Sequence, residues 1–415
     1  MNPSSDLPQP SKTRLAVRIT PDALRHVRAG HPWIYDHSVT SVSGDGKVGD
    51  LAVIFDAQRK FAAIGLYDPS SPLRIRVLHE GSPTTIDRAF WRDRLTAAVA
   101  RRQPLLDRGD TTGMRLVNGE GDSLPGLVLD AYDTTLVIKL YTAAWVPHLT
   151  DLVAVIDELW HPTSLVLRLA RSLDPVSLHG LEEGDALIGT PPDAPVAFLE
   201  NGLAFEADVV RGQKTGHFLD QRDNRSFVAE LVRRVGDGCT VLDMFASTGG
   251  FTVHAAAAGA ARVTAVDLSA PTLAVARRNL DRNAHLPAVR ACEVTSVVAD
   301  AFDDMQARVK RGEKFDIVVV DPPSFAQRQH ETERALGAYR KLTDLAVRLV
   351  QPGGWLVQCS CSARVGAEEF HRAVAIAASN ARHPLTEWRR TAHPVDHPAA
   401  IAESRYLKAT FARVD

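Results

Sequence analysis

Two cysteines one residue apart, Cys359 and Cys361 in "WLVQCSCSA", close an apolar run in a chain that holds four cysteines among 415 residues. A disulfide between them is sterically poor, and two thiols without further ligands at suitable spacing do not make a zinc site. Upstream, "VVVDPPSF" sets Asp321, Pro322, Pro323 and Phe325 directly after another apolar run. A carboxylate there can accept a hydrogen bond from a base amino group or a protonated ring nitrogen. The prolines leave backbone carbonyls free to accept, and a Phe can stack on a flat base. The plainer account of the motif is a rigid turn with a core Phe. Beside it, a thiol has a specific use. Carbon 5 of a pyrimidine is too weak a nucleophile to take a methyl group unaided, and a thiolate adding at carbon 6 turns the ring into an enamine. Residues two apart in a strand share a face, yet only Cys361 lies far enough along to reach the strand's edge. Cys359 reads as core.

A second set of residues points to the partner of that chemistry. "VLDMFASTGGF" is a strand, a carboxylate (Asp243), a loop with Gly249 and Gly250, and the start of a helix. Asp267 ends the next apolar run, at the distance where an acidic residue commonly meets ribose hydroxyls. Asp300 and Asp321 end the two after that. Four carboxylates at successive strand ends would repel a pyrophosphate. They suit a cofactor with cationic and hydroxyl-bearing parts, which S-adenosylmethionine is, with its sulfonium, ammonium and ribose diol. Phe245 and Ser247 stand where a GxGxxG loop would have glycines, so a phosphate cradle and a nicotinamide cofactor are disfavoured.

The elements that must hold these residues follow from periodicity. From about residue 200 the chain alternates strand and helix: "TVLDMF", "RVTAVDL", "VTSVVAD", "FDIVVVDPP" and "GGWLVQCSCS" are the strands. Helical stretches lie between them, one capped by Ser269 and one stopped by Pro352, Gly353 and Gly354. This pattern predicts an α/β domain with a doubly wound parallel sheet over 200–415, ligands binding at the carboxyl ends of its strands. Residues 14–82 read as a small, mostly-β domain with one short helix begun by Thr20 and Pro21. A connector helix with a basic face falls in 83–112, where Phe90, Leu95, Val99 and Leu106 form the apolar stripe. An α+β middle domain covers 113–199, and residues 1–13, polar and Pro-rich, read as a disordered lead.

The formal net charge of -2 argues against a protein that coats nucleic acid over its whole surface. It allows a local basic face, and arginines cluster near residues 14–28 and 88–102, although a solvated charged surface explains them as simply. The cysteines form no CxxC pair, so neither a disulfide scaffold nor a metal site is expected. No apolar run approaches the roughly 18 residues of a membrane span, and the polar N-terminus does not resemble a signal peptide. A cytoplasmic protein without a membrane partner is expected.

The motifs "GQKTGHFLDQRDNR", "VLDMFASTGGF", "VDLS", "DPPSFA" and "SCS", in this order, resemble the bacterial large-subunit (23S) rRNA cytosine-5 methyltransferases. "RAGHPWIYD" and "PLRIRVL" are similar to the PUA domain of that family, and "RLVNGEGDSLPGLVLDAY" to the opening of its middle domain. The resemblance implies a PUA-like RNA-binding domain at 14–82 and a Rossmann-like SAM-dependent domain at the C-terminal end. Gln221 and Arg222 would help hold the cofactor near its carboxylate end, although a polar helix face also explains them. Asp243, Gly249 and Gly250 would line the methionine part, Asp267 the ribose, and Asp300 the adenine, with Phe245 also against the cofactor. Asp321 would serve both cofactor and cytosine, with Pro322 and Phe325 against the base and Cys361 as nucleophile. "DHPAA" resembles a loop close to the target base, which points to His397, while a surface His in a Pro-containing loop accounts for it equally. Where another group of RNA cytosine-5 methyltransferases carries a second cysteine, this chain has Pro323. The expected partner is large-subunit rRNA, naked or in a precursor particle; strand "LVIKLYT" could pair across a homodimer or lie within its own domain. Two other readings stand beside this one: methylation of a base nitrogen (guanine or an exocyclic amino group) without a covalent adduct, and a non-catalytic RNA-binding assembly factor.

Overall fold

The computed structural model describes residues 7–212, 215–326 and 328–415. Residues 1–6 of the expected lead, and Gln213 and Lys214 of the "GQKTGHF" motif, lie outside the described residues. Two compact units divide the chain, and they are not consecutive in sequence. Residues 207–217 and 395–401 join the first, N-terminal unit; 199–206, 218–394 and 402–415 make up the second.

The first unit carries two sheets. One has six strands in the order Trp33–Ile34, Ile75–Glu80, Phe61–Tyr67, Leu51–Phe55, Leu15–Ile19 and Val39–Val42. The Pro21–Arg28 helix lies within this stretch, its first turn capped by the Thr20 hydroxyl, which accepts from Ala23 N. The other sheet has five strands in the order Ala186–Gly189, Ser164–Leu169, Thr135–Leu140, Leu127–Tyr132 and Gly113–Asn118. Both edges of Thr135–Leu140 are taken by its neighbours, so "LVIKLYT" is an interior strand and has no edge to offer a second copy. Leu51, Ile64, Leu66 and Leu78 of the first sheet share one apolar cluster with residues of the second, from Met114 to Leu187. Leu7, from the expected disordered lead, is buried in that cluster too.

The helix Arg88–Leu106 corrects the sequence reading. Its inward face is Trp91, Leu95, Ala98, Arg102 and Leu105, while Leu106 is exposed and only Leu95 of the expected stripe is buried. The stripe was misphased because an arginine occupies an inward position. Arg102 is fully buried and forks onto both oxygens of Asp122 at 2.7 and 2.6 Å. It also donates to the carbonyls of Ala98, Arg115 and Asp396. A buried guanidinium is tolerable only when its donors are met this completely.

The second unit is a seven-stranded sheet with helices between its strands. In chain order the strands are β1 Thr240–Met244, β2 Arg262–Asp267, β3 Glu293–Val298, β4 Phe315–Val320, β5 Val350–Ser360, β6 Leu385–Thr391 and β7 Lys408–Val414; in space they run β3-β2-β1-β4-β5-β7-β6. The first five pair in parallel, as the buried apolar runs require. The sheet is not parallel throughout, because β7 lies antiparallel between β5 and β6. β5 also begins at Val350, so Pro352, Gly353 and Gly354 fall inside the strand rather than ahead of it. Among the described residues no helix is long and apolar enough to cross a membrane.

Removing Arg102 takes both guanidinium bonds from the Asp122 carboxylate, which has no exposed surface of its own and keeps only Arg101 Nη1 at 2.7 Å and Asn118 N at 2.6 Å. Arg102→Met is expected to lower the stability of the first unit by about 3–5 kcal/mol, the cost of breaking a buried pair from one side. Arg102→Met with Asp122→Leu should recover only part of that loss, because Asp122 also accepts from Asn118 N and Arg101. Denaturant midpoints of the two variants and the parent check it; equal losses in single and double variants would contradict it.

Candidate functional site

Because β1, β2, β3 and β4 are parallel, their carboxyl ends share one edge. Asp243 sits one residue before the end of β1, opposite Ala265 of β2 and Val319 of β4. It is completely buried. One oxygen accepts from the Thr252 hydroxyl at 2.6 Å and the other, Oδ1, has no hydrogen-bond partner. Burial pushes its carboxyl up to about 7, with the Thr252 hydrogen bonds and the Arg225 charge opposing.

After β1 the chain turns sharply. Phe245, Ser247 and Gly249 all have left-handed φ, at 63°, 49° and 78°, a conformation costly for the two that carry side chains. The two glycines make room for protein neighbours rather than only for a ligand. A Cβ on Gly249 would stand 2.7 Å from Ala276 Cβ, and one on Gly250 would run into the Arg225 guanidinium. Arg225 is itself buried, with Nη1 on both oxygens of Glu200 at 2.9 and 2.8 Å and Nη2 on the Phe218 carbonyl. Asp267, half-buried at the end of β2, accepts from Ser247 N at 2.9 Å and Ser269 N at 2.8 Å, so it fixes the glycine-containing loop as well as ending its strand. Asp300 is exposed and caps the helix Ala301–Arg311, accepting from Phe302 N and Asp303 N. Its carboxylate thus has a structural task whatever else it does.

The "FLDQRDNR" segment is also at this edge. Gln221 is buried, and its amide donates to Asp321 Oδ1 at 2.8 Å. That orientation is set by a relay, in which the Thr391 hydroxyl donates to Asn224 Oδ1 and Asn224 Nδ2 donates to Gln221 Oε1. Gln221 therefore holds Asp321 rather than standing apart from it. Arg222 is buried at the start of the helix Arg222–Val235, with Nε 3.2 Å from an Asp223 oxygen.

Asp321 follows β4, and Cys361 follows β5 by one residue. Cys359 is fully buried in the sheet's core, where desolvation drives its thiol well above the ordinary range. Cys361 is half-buried, and its Sγ is 3.8 Å from the Pro322 carbonyl oxygen. The serines on either side of Cys361 stitch its turn to the "DPPSF" turn. The Ser360 hydroxyl donates to Tyr339 Oη at 2.8 Å, and Tyr339 Oη lies 2.9 Å from Ser362 Oγ. Ser362 Oγ in turn meets Ser324 Oγ at 3.1 Å and accepts from Phe325 N at 3.2 Å. Burial raises the Tyr339 phenol to about 12, so it stays a neutral donor and acceptor. Phe325 is half-buried with its ring 5.2 Å from that of Tyr339, so one side of it is already packed.

His397 lies in the first unit, buried rather than on the surface, with Nδ1 3.1 Å from the buried Asp396 carboxylate. Sequence reading also missed Glu200, Asn224, Arg225, Tyr339, Ser360 and Ser362. The spacing of Arg222 and Arg225, three apart on one helix, was the available signal for one of them; Glu200 carries none. Among the described residues no group of three or more His, Cys, Asp or Glu is placed to hold a metal ion.

The donor set fits S-adenosylmethionine. A buried carboxylate oxygen without a partner at Asp243 suits an ammonium, and a half-buried Asp267 fixed by two amides suits a diol.

Residues 132–406 match the family described as S-adenosylmethionine-dependent methyltransferase, and residues 17–80 match a PUA-like domain. A protein of Deinococcus radiodurans named ribosomal RNA large subunit methyltransferase is 45% identical over 98% of this chain and 99% of its own length. One of Pseudoalteromonas translucida, named ribosomal RNA large subunit methyltransferase I, is 32% identical over 94% of this chain and 97% of its own. Among solved structures, a chain described as a methyltransferase complexed with SAH superposes with a TM-score of 0.80 over 97% of this chain and all of its own, at 20% identity. That likeness is one of fold. By the extent of these matches the chain belongs to the S-adenosylmethionine-dependent methyltransferase family that includes these relatives, and it carries a PUA-like domain ahead of its methyltransferase domain.

Proposed function

We propose that this methyltransferase modifies carbon 5 of a cytosine in large-subunit rRNA, with Cys361 as the nucleophile. The names of its full-length relatives support the RNA substrate, as does the PUA-like domain, a fold that recognises RNA. The observation that carries the base and the atom is the half-buried Cys361 thiol beside the Asp321-Pro322 turn, 3.8 Å from the Pro322 carbonyl. A nitrogen methyltransferase would use that carbonyl to hold an amino group and has no task for a thiol.

Asp243, Phe245, Gly249, Gly250, Asp267 and Asp300 would hold the cofactor, with Gln221 and Arg222 supporting its carboxylate end. When bound, S-adenosylmethionine supplies an electrophilic methyl group on a cationic sulfur. The target cytosine must leave any stack to reach the sheet edge. Asp321, kept in place by Gln221, would accept from the cytosine amino group or a protonated ring nitrogen, with Pro322 and Phe325 against the base. The Cys361 thiolate adds to carbon 6, and the displaced π pair makes carbon 5 nucleophilic. Once carbon 5 carries the methyl group, its proton leaves to a base, the electron pair reforms the ring double bond and the carbon–sulfur bond breaks. Pro323 stands where other cytosine-5 enzymes carry a second thiol, so water or another base takes that proton.

Cys361→Ala is expected to lower 5-methylcytosine formation on unmodified rRNA roughly 10³-fold or more, read by mass spectrometry of the digested RNA. S-adenosylhomocysteine affinity should stay unchanged. A methylated guanine or amino group made equally well by the variant would replace this reading with the nitrogen one, and no product together with no cofactor binding would favour an assembly factor.

Asp243 makes the cofactor affinity depend on pH. Its carboxyl titrates near 7 in the free protein, whereas an ammonium partner requires the charged form. Below about pH 6 binding must therefore expel a proton, and affinity for S-adenosylhomocysteine should fall roughly tenfold per unit of pH. Calorimetry between pH 5 and 8 in buffers of different ionisation enthalpy would register the released proton, and Asp243→Asn should bind weakly and without that slope. A flat profile in the parent protein would rule out the assignment.

A further inference from the structure

A lysine with almost no exposed surface lies under the turn that carries Cys361. Lys408 opens β7, directly across from Ser360 of β5, and is 2% exposed. Its ammonium donates to three backbone carbonyls: Ser362 at 2.5 Å, Val365 at 2.7 Å and Tyr406 at 3.1 Å. Two of these belong to the loop that begins at the cysteine, and one of them is the residue next to it. Burying an ammonium carries a desolvation cost, and an apolar residue would satisfy packing at this position without it.

We propose that Lys408 is a positioning residue for Cys361: its ammonium gathers the carbonyls of the turn that presents the thiol and supplies the positive charge that favours the thiolate. This inference rests on the reading of Cys361 as nucleophile. The titratable groups around this turn come from several elements. From β4 and its turn comes Asp321, an anion; from the helix Thr332–Leu349 comes Tyr339, neutral; from β5 comes Cys359, neutral. Lys408 is a cation that interacts with the Cys361 thiol, and Glu369 and His371 of the helix Ala367–Asn380 also interact with it. Desolvation lowers the Lys408 ammonium to about 8, while Cys361 and Glu369 oppose that fall. It is therefore mostly charged at pH 7, and its support for the thiolate fades above pH 8. Ser360 and Ser362 are tied to Tyr339 from the opposite side, so the turn is clamped between a phenol and an ammonium.

The test is the pH profile of Cys361 alkylation by iodoacetamide, followed at its own peptide by mass spectrometry in the full-length protein. The parent is expected to show a midpoint below the value of about 8.5 for a free thiol. In Lys408→Met that midpoint should rise by about one unit, a roughly tenfold slower alkylation at pH 7, with 5-methylcytosine formation falling at least as far. Lys408→Arg should keep the midpoint near the parent's. S-adenosylhomocysteine affinity should be the same in all three. A parent midpoint at or above 8.5 overturns the proposal without reference to any variant, which keeps it testable if Lys408→Met does not fold. An unchanged midpoint in a folded Lys408→Met overturns it as well, leaving Lys408 as packing. Cys361→Ala judges the underlying reading separately: normal 5-methylcytosine from that variant removes the nucleophile, whatever the alkylation shows.

Discussion

A carboxylate removed from water must find compensation or take up a proton, and the buried Asp243 imposes that constraint on everything around the carboxyl edge of the sheet. Thr252 meets one of its oxygens, and the charge of Arg225 lowers its proton affinity. Arg225 in turn cannot be left alone, so Glu200 receives it through both oxygens. Space for that guanidinium requires glycine at 250, and the packing of Ala276 requires it at 249. The strained loop between β1 and its helix then needs its own anchor, which Asp267 provides through Ser247 N. The unsatisfied oxygen of Asp243 is what this series of compensations leaves over. A cationic ligand would complete it, so that binding energy would come from a cost already incurred in folding.

The other half of the edge is organised by connection rather than by charge. Two turns follow neighbouring parallel strands, and neither is held by regular ladder bonds once its strand has ended. Ser362 joins them, reaching Ser324 and Phe325 on one side and Tyr339 on the other. Gln221 holds Asp321 from the helix side through a relay that begins at Thr391 of β6. Side chains on four separate elements thus fix the carboxylate and the thiol relative to each other. Such preorganisation is what a covalent mechanism needs, since the thiolate and the base must meet in one geometry.

How far this was legible in the sequence depended on whether the chemistry was local. Apolar runs ending in Asp243, Asp267 and Asp321 announce a parallel sheet and its edge, because strand direction alone brings the ends together. The motif "DPPSF" and the cysteine after the fifth run were readable for the same reason. The glycines were seen, but their neighbours were not: Ala276 and Arg225 come from other helices. Asp300 reads as one more acid at a strand end, and only the following helix reveals its capping task. Glu200 and Lys408 were invisible, since each meets its partner through long-range pairing, and an isolated Glu or Lys on a strand ordinarily signals a solvent-facing position. The helix Arg88–Leu106 failed for a related reason: periodicity counts Arg102 as polar and turns the helix outward, while a satisfied buried ion pair turns it inward.

The antiparallel strand β7 explains why the chemistry end has the composition it does. A parallel neighbour of β5 would present its carboxyl end, and so its loop, at the same edge as Cys361. An antiparallel one presents its first residue there instead, and that residue is Lys408, paired with Ser360. A lysine at the start of a strand can send its long side chain past the ladder to carbonyls that have no strand partner, as those of Ser362 and Val365 do not. The edge therefore divides into an acidic stretch over β1 to β4, suited to a cationic cofactor, and a cationic point beneath the turn after β5, suited to an anionic sulfur. In this sheet that division follows from the reversed strand, which places Lys408 opposite Ser360.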